Sequence, residues 1–116
     1  MELAPDGSTV HPLLRTQAAS MARFELAAGA VTAAVTHRTV EELWYVLSGR
    51  GELWRRQADR EEVIALQAGV SLSIPRGAHF QFRALDEALV VLGVTMPAWP
   101  GEGEAAKVQG PWVAKT

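Results

Sequence analysis

The chain has 116 residues, 48% of them hydrophobic, which is sized for one compact domain burying roughly two thirds of its unfolded surface and leaves no room for a second. A formal net charge of −2, with no basic cluster beyond Arg55-Arg56, argues against nucleic acid or an anionic membrane as the main partner. With no cysteine, no leader-like apolar core near the start and no run approaching the roughly 20 apolar residues that span a bilayer, the expectation is a soluble cytoplasmic protein without disulfides, in which any metal would need nitrogen and oxygen ligands.

Residues 1–20 are interrupted by Pro5, Gly7 and Pro12 and read as an arm with at most a short edge strand. From Met21 the pattern sharpens: Ala22, Phe24 and Leu26 alternate with Arg23 and Glu25, as in a half-buried strand. Val31 to Arg38 alternates again, with Val31, Ala33, Val35 and His37 on one face and Thr32, Ala34, Thr36 and Arg38 on the other. Glu41 to Leu47 reads as a strand whose apolar part, Leu43 to Leu47, is too short for a helix, and Ser48-Gly49-Arg50-Gly51 predicts a hairpin returning through Glu52 to Arg55, with Trp54 paired across to the Trp44-Tyr45 strand. Short strands follow at Glu62–Leu66, Ser71–Ile74, Ala78–Ala84 and Ala88–Thr95, separated by turn residues. Four- to eight-residue strands at this spacing, with no helical stretch, predict an all-β sandwich or barrel over residues 21–96.

Residues 97–116 are rich in proline and glycine and predict an irregular tail. Trp99 and Trp112 are too large and apolar to sit idle in water, so the tail is expected to pack on the barrel or on a partner subunit, with Trp99 as a candidate lid.

Two spaced motifs carry a family resemblance. Gly29, five residues, Val35, one residue, His37, four residues, Glu42, six residues and Gly49 resembles the first cupin motif with its first histidine replaced by valine. Gly69, five residues, Pro75-Arg76-Gly77 and Ala78-His79-Phe80 resembles the second, with one residue instead of two before the histidine, so that the ligand slot falls on Phe80, and without the closing asparagine. The resemblance implies a cupin double-stranded β-helix, or jelly roll, in a small single-domain protein that forms a homodimer.

Two functional readings follow. In the first, His37, Glu42 and His79 converge on a divalent first-row metal (iron, manganese, nickel or zinc), which would bind or act on a small oxygenated metabolite, with oxygenase and isomerase as candidate activities. In the second there is no metal, and Arg38 with an aromatic wall of Trp44, Phe80 and Phe82 binds a small anionic or sugar-like ligand. An intermediate register turns His79, Gln81 and Arg83 inward to make a polar pocket. A one-residue slip exchanges the faces of a strand, so alternation leaves the readings open. No serine sits in a nucleophile motif, and no glycine loop is placed to cradle a phosphate.

Overall fold

The computed structural model describes residues 2–115 and contains strands without a helix. The strands are β1 (Glu2–Leu3), β2 (Thr9–Arg15), β3 (Ser20–Leu26), β4 (Val35–His37), β5 (Glu41–Ser48), β6 (Arg50–Gln57), β7 (Arg60–Gln67), β8 (Ser71–Ile74), β9 (His79–Ala84), β10 (Leu89–Met96) and β11 (Ala105–Lys107). They form a six-stranded sheet, β1-β2-β3-β10-β5-β8, facing a five-stranded sheet, β11-β4-β9-β6-β7, with antiparallel pairing throughout. This is the expected all-β jelly roll. Among the described residues no helix is long and apolar enough to cross a membrane.

Alternation places the core. On β5, Glu42, Trp44 and Val46 point inward while Leu43, Tyr45 and Leu47 face out, and β10 repeats the pattern with Leu89, Val91, Gly93 and Thr95 inward. Leu53, Phe82, Ile74 and Leu89 are among the fully buried side chains that fill the space between the sheets. Each such side chain contributes about 1.5–3 kcal/mol of burial.

The predicted Gly49 hairpin is instead a corner: β5 lies in the six-stranded sheet and β6 in the other. Gly49 has φ of 92°, and a Cβ on it would collide with the carbonyl of Ala88. The glycine therefore serves a close crossing of two chain segments rather than a two-strand turn. Trp54 consequently pairs within the five-stranded sheet, opposite Val63 and Gln81, and its indole Nε1 donates to Glu61 at 3.0 Å.

Both ends are more regular than their composition suggests. The opening segment contributes β1 and the seven-residue β2 to a sheet edge, and the tail contributes β11 beside β4. The long strand expected from Val31 shortens to Val35–His37, because Thr32 satisfies the Phe82 backbone through its hydroxyl, which donates to Phe82 O at 3.0 Å and accepts from Phe82 N at 3.1 Å.

Candidate functional site

A cavity of about 430 Å³ opens between the sheets, walled by β3, β4, β5, β9 and β10 and edged by the opening segment and Trp99. Four positions of the two sequence motifs meet here. Val35 and Phe80 are register partners on β4 and β9, His37 lies two residues along β4 on the same face, and Glu42 projects inward from β5.

The polar centre is a pair. His37 Nδ1 lies 2.9 Å from Glu42 Oε2, a close contact set off the hydrogen-bonding direction, and Glu42 Oε1 accepts from the Trp44 indole at 3.1 Å. Both members of the pair are buried, His37 at 8% and Glu42 at 3% exposure. The imidazole is gripped edge-on by Phe80 (ring centroids 5.0 to 5.2 Å apart for Trp99 and Phe80 respectively) and by the Trp99 indole. Behind it, Trp44 packs edge-to-face on Phe82 at 4.9 Å and stacks on Phe24 at 6.3 Å. Gly93 makes that wall possible, since a Cβ there would press into the Phe24 ring.

Two further carboxylates bear on the site. Asp6 lines the cavity from the opening segment; its Oδ1 accepts from Ser8 N at 2.9 Å and Ser8 Oγ at 2.7 Å, and its carbonyl accepts from Ala33 N at 2.9 Å. Burial pushes the Asp6 carboxyl above its ordinary range against the pull of the Ser8 hydrogen bonds, with the nearby Glu42 charge raising it further and His37 lowering it. Glu104, buried in the tail, accepts from Thr39 Oγ1 at 2.5 Å, Thr39 N at 2.6 Å and Val40 N at 3.0 Å. Burial alone would raise its pKa, but the bonds from Thr39 and Val40, with the His37 charge, hold it below the ordinary value. Glu104 thereby fixes the turn that joins the His37 and Glu42 strands.

Of the residues expected at a site, His37, Glu42, Trp44 and Phe80 line the cavity, and Phe82 supports Trp44 from the core. The other three lie elsewhere. His79 is register partner to Thr36 and Arg56, which puts it on the outer face of the five-stranded sheet, where Nδ1 sits 3.3 Å from Arg56 Nη2. Gln81 shares that outer face, its amide donating to Thr32 O and Trp112 O and accepting from Trp112 N under the tail. Arg38 is exposed and outside the cavity lining.

The metal triad expected from the resemblance therefore does not assemble. Of the four motif positions that do converge, Val35 and Phe80 carry no donor, and among the described residues no three His, Cys, Asp or Glu side chains group to hold an ion. Two donors already in contact with one another fall short of the three protein ligands of a catalytic zinc site, so the residues present do not fit a first-row metal of that kind. The residues missed from sequence are Asp6, Phe24 and the Ser20–Thr95 hydroxyl pair. Pro5-Asp6-Gly7 carries the signature of a turn, but nothing local says which cavity that turn would edge.

A family model described as Cupin domain matches residues 22–95. The chain belongs to the cupin family. Among solved structures it is similar to KdgF from Halomonas sp. (TM-score 0.74, 18% identity, 86% of each chain covered). It is also similar to a recombinant oxalate oxidase in complex with glycolate (TM-score 0.71, 24% identity, 84% of this chain and 55% of that one). An oxalate decarboxylase variant (B. subtilis) gives a TM-score of 0.80 at 16% identity, covering 91% of this cupin and 29% of that chain. This cupin thus spans most of KdgF but about half or less of the two oxalate enzymes. No curated protein sequence matches it significantly.

Proposed function

We propose that this cupin binds a small organic molecule in the cavity between its sheets, held by the His37–Glu42 pair and the aromatic wall rather than by a metal. The observation that carries the reading is the convergence of Val35, His37, Glu42 and Phe80 on one cavity with only two of the four bearing a donor. A volume of about 430 Å³ is in the range that accepts a small metabolite, and a mostly apolar lining with a few polar groups is the usual character of such a site. Since Glu42 faces Nδ1 of His37, Nε2 is the ring nitrogen left to a ligand, which equips the pair to accept or donate a proton. Arg38, outside the cavity, gives no support to an anion clamp.

The test combines two measurements on protein purified without a histidine tag. Elemental analysis is expected to find no stoichiometric transition metal, and a metabolite screen by thermal shift is expected to find ligands whose stabilisation disappears in His37→Ala. A ligand at 100 times its dissociation constant adds about 2.7 kcal/mol. Stoichiometric metal lost in His37→Ala would overturn the reading.

The same proposal includes a homodimer. Leu43, Tyr45 and Leu47 form an exposed apolar row on the outer face of β5, and Leu92 and Val94 of β10 flank it as register partners of Tyr45 and Leu43. Such a row supports burial against a second copy. Light scattering is expected to give twice the chain mass for the wild type and the monomer mass for Tyr45→Lys.

A further inference from the structure

We propose that the cavity selects an organic cation, an amine or quaternary ammonium with a compact apolar body. This rests on the small-molecule reading above and adds the charge of the ligand. Three carboxylates, Glu2, Asp6 and Glu42, belong to the lining against one guanidinium, that of Arg15. Arg15, which donates to the Trp99 carbonyl at 3.4 Å, and Glu2 are both exposed, so these two charges stay at the rim and Asp6 and Glu42 are the carboxylates left inside. The interior thus holds two carboxyl groups, one imidazole and no lysine or arginine side chain among the described residues.

The walls supply the second half of the recognition. Trp44, Phe80, Phe24 and Trp99 surround the same space as Asp6 and Glu42. Aromatic faces attract a cation through their quadrupole, most strongly where water is excluded, and a carboxylate among them supplies the full countercharge. The Asp6 carboxyl, pushed up by burial and by Glu42, is the group a bound cation would relieve. His37 is nine-tenths buried in the lining and makes no hydrogen bond: Nδ1 lies against Glu42 off the bonding direction and Nε2 has no partner among the described residues, so the polar centre is left incomplete by the protein alone. A dicarboxylate such as oxalate, for which two of the structural neighbours are named, would bring like charge to Asp6 and Glu42.

The experiment uses one shape at three charges: choline, its uncharged carbon isostere with tert-butyl in place of trimethylammonium, and the carboxylate with the same tert-butyl body. Binding to the full-length wild type, dialysed against chelator, is followed by calorimetry and by Trp fluorescence. Choline is expected to bind about tenfold more tightly than the neutral isostere, and the carboxylate more weakly than either. Asp6→Asn is expected to cut choline affinity several-fold while leaving the neutral isostere unchanged, and Glu42→Gln serves as the second variant. Equal affinity for choline and its isostere, or preference for the carboxylate, overturns the cation and leaves the small-molecule reading standing. Failure of all three to occupy the cavity at millimolar concentration overturns the cation and counts against the small-molecule reading with it.

Discussion

On the outer surface of the five-stranded sheet, Gln81 has both ends of its amide occupied by the chain, through Thr32 and the backbone of Trp112, while Arg83 pairs with Glu52 and stacks 4.1 Å from the Trp112 ring. On the inner surface of the same sheet, His37 has one carboxylate and two aromatic edges, and its remaining side opens on a cavity. Both surfaces carry polar groups among aromatics, but only the inner one leaves some of them for a partner that the chain does not contain. A buried polar group completed by its own fold is a structural clasp; one left incomplete inside a cavity marks a binding site.

The largest expected break falls on the inner side. His37→Leu leaves the buried Glu42 carboxylate without its nearest polar neighbour, which should cost about 3 kcal/mol in urea unfolding. Adding Glu42→Gln removes the stranded charge while keeping an acceptor for the Trp44 indole, so most of the loss should return. A single variant as stable as the wild type would show that the two groups do not depend on one another.

Gln81→Leu attacks the outer clasp. It strips partners from Thr32 O, Trp112 O and Trp112 N at once, and about 2 kcal/mol should be lost even though the new side chain is apolar and of similar bulk. The cavity lies on the other side of the sheet, so ligand affinity should not change. A fall in affinity equal to that of a cavity variant would erase the distinction between the two surfaces.

Glu104→Gln tests the link between them, and should cost about 1 kcal/mol at neutral pH. The Glu104 carboxyl is lowered in the folded protein, so its contribution is full above the ordinary glutamate range and is lost as pH falls through the lower folded value. The gap between wild type and variant should therefore close on acidification. A gap that widens in acid would mean that the carboxylate is not what holds Thr39 and Val40.

Much of this was legible in the sequence, and what was not has identifiable causes. Strict alternation from Glu41 to Leu47 fixes Glu42 as inward, because a strand with one buried face has a single tolerable register. The spacing from Gly29 to Gly49 left open whether Val35 and His37 or Thr36 and Arg38 join it, and the structure turns the first pair inward. The second motif is one residue short before its histidine, and that single residue decides that Phe80 enters the cavity while His79 leaves it. Gly49 could equally have made a hairpin; only the approach of Ala88, distant in sequence, makes it a corner. Asp6 lies in a segment without periodicity, and its place depends on the Ala33 backbone in the irregular segment that leads into β4.

The smallest effect expected is also of opposite sign. Folding makes the Asp6 carboxyl harder to ionise, so its proton is held more tightly in the native state than in the unfolded chain, and stability drains away as pH rises through the ordinary aspartate range toward the folded value. Asparagine cannot ionise and can still accept from Ser8, so Asp6→Asn should raise the urea midpoint slightly at neutral pH and leave it unchanged below the ordinary aspartate pKa. Its dependence on pH thus runs against that of Glu104, whose ionised form the fold favours. A midpoint that falls at neutral pH would make Asp6 another clasp of the kind seen on the outer surface. A rise, accompanied by weaker binding of choline, would mean that the chain keeps at the edge of its cavity a charge that costs it stability, and that the ligand supplies the compensation.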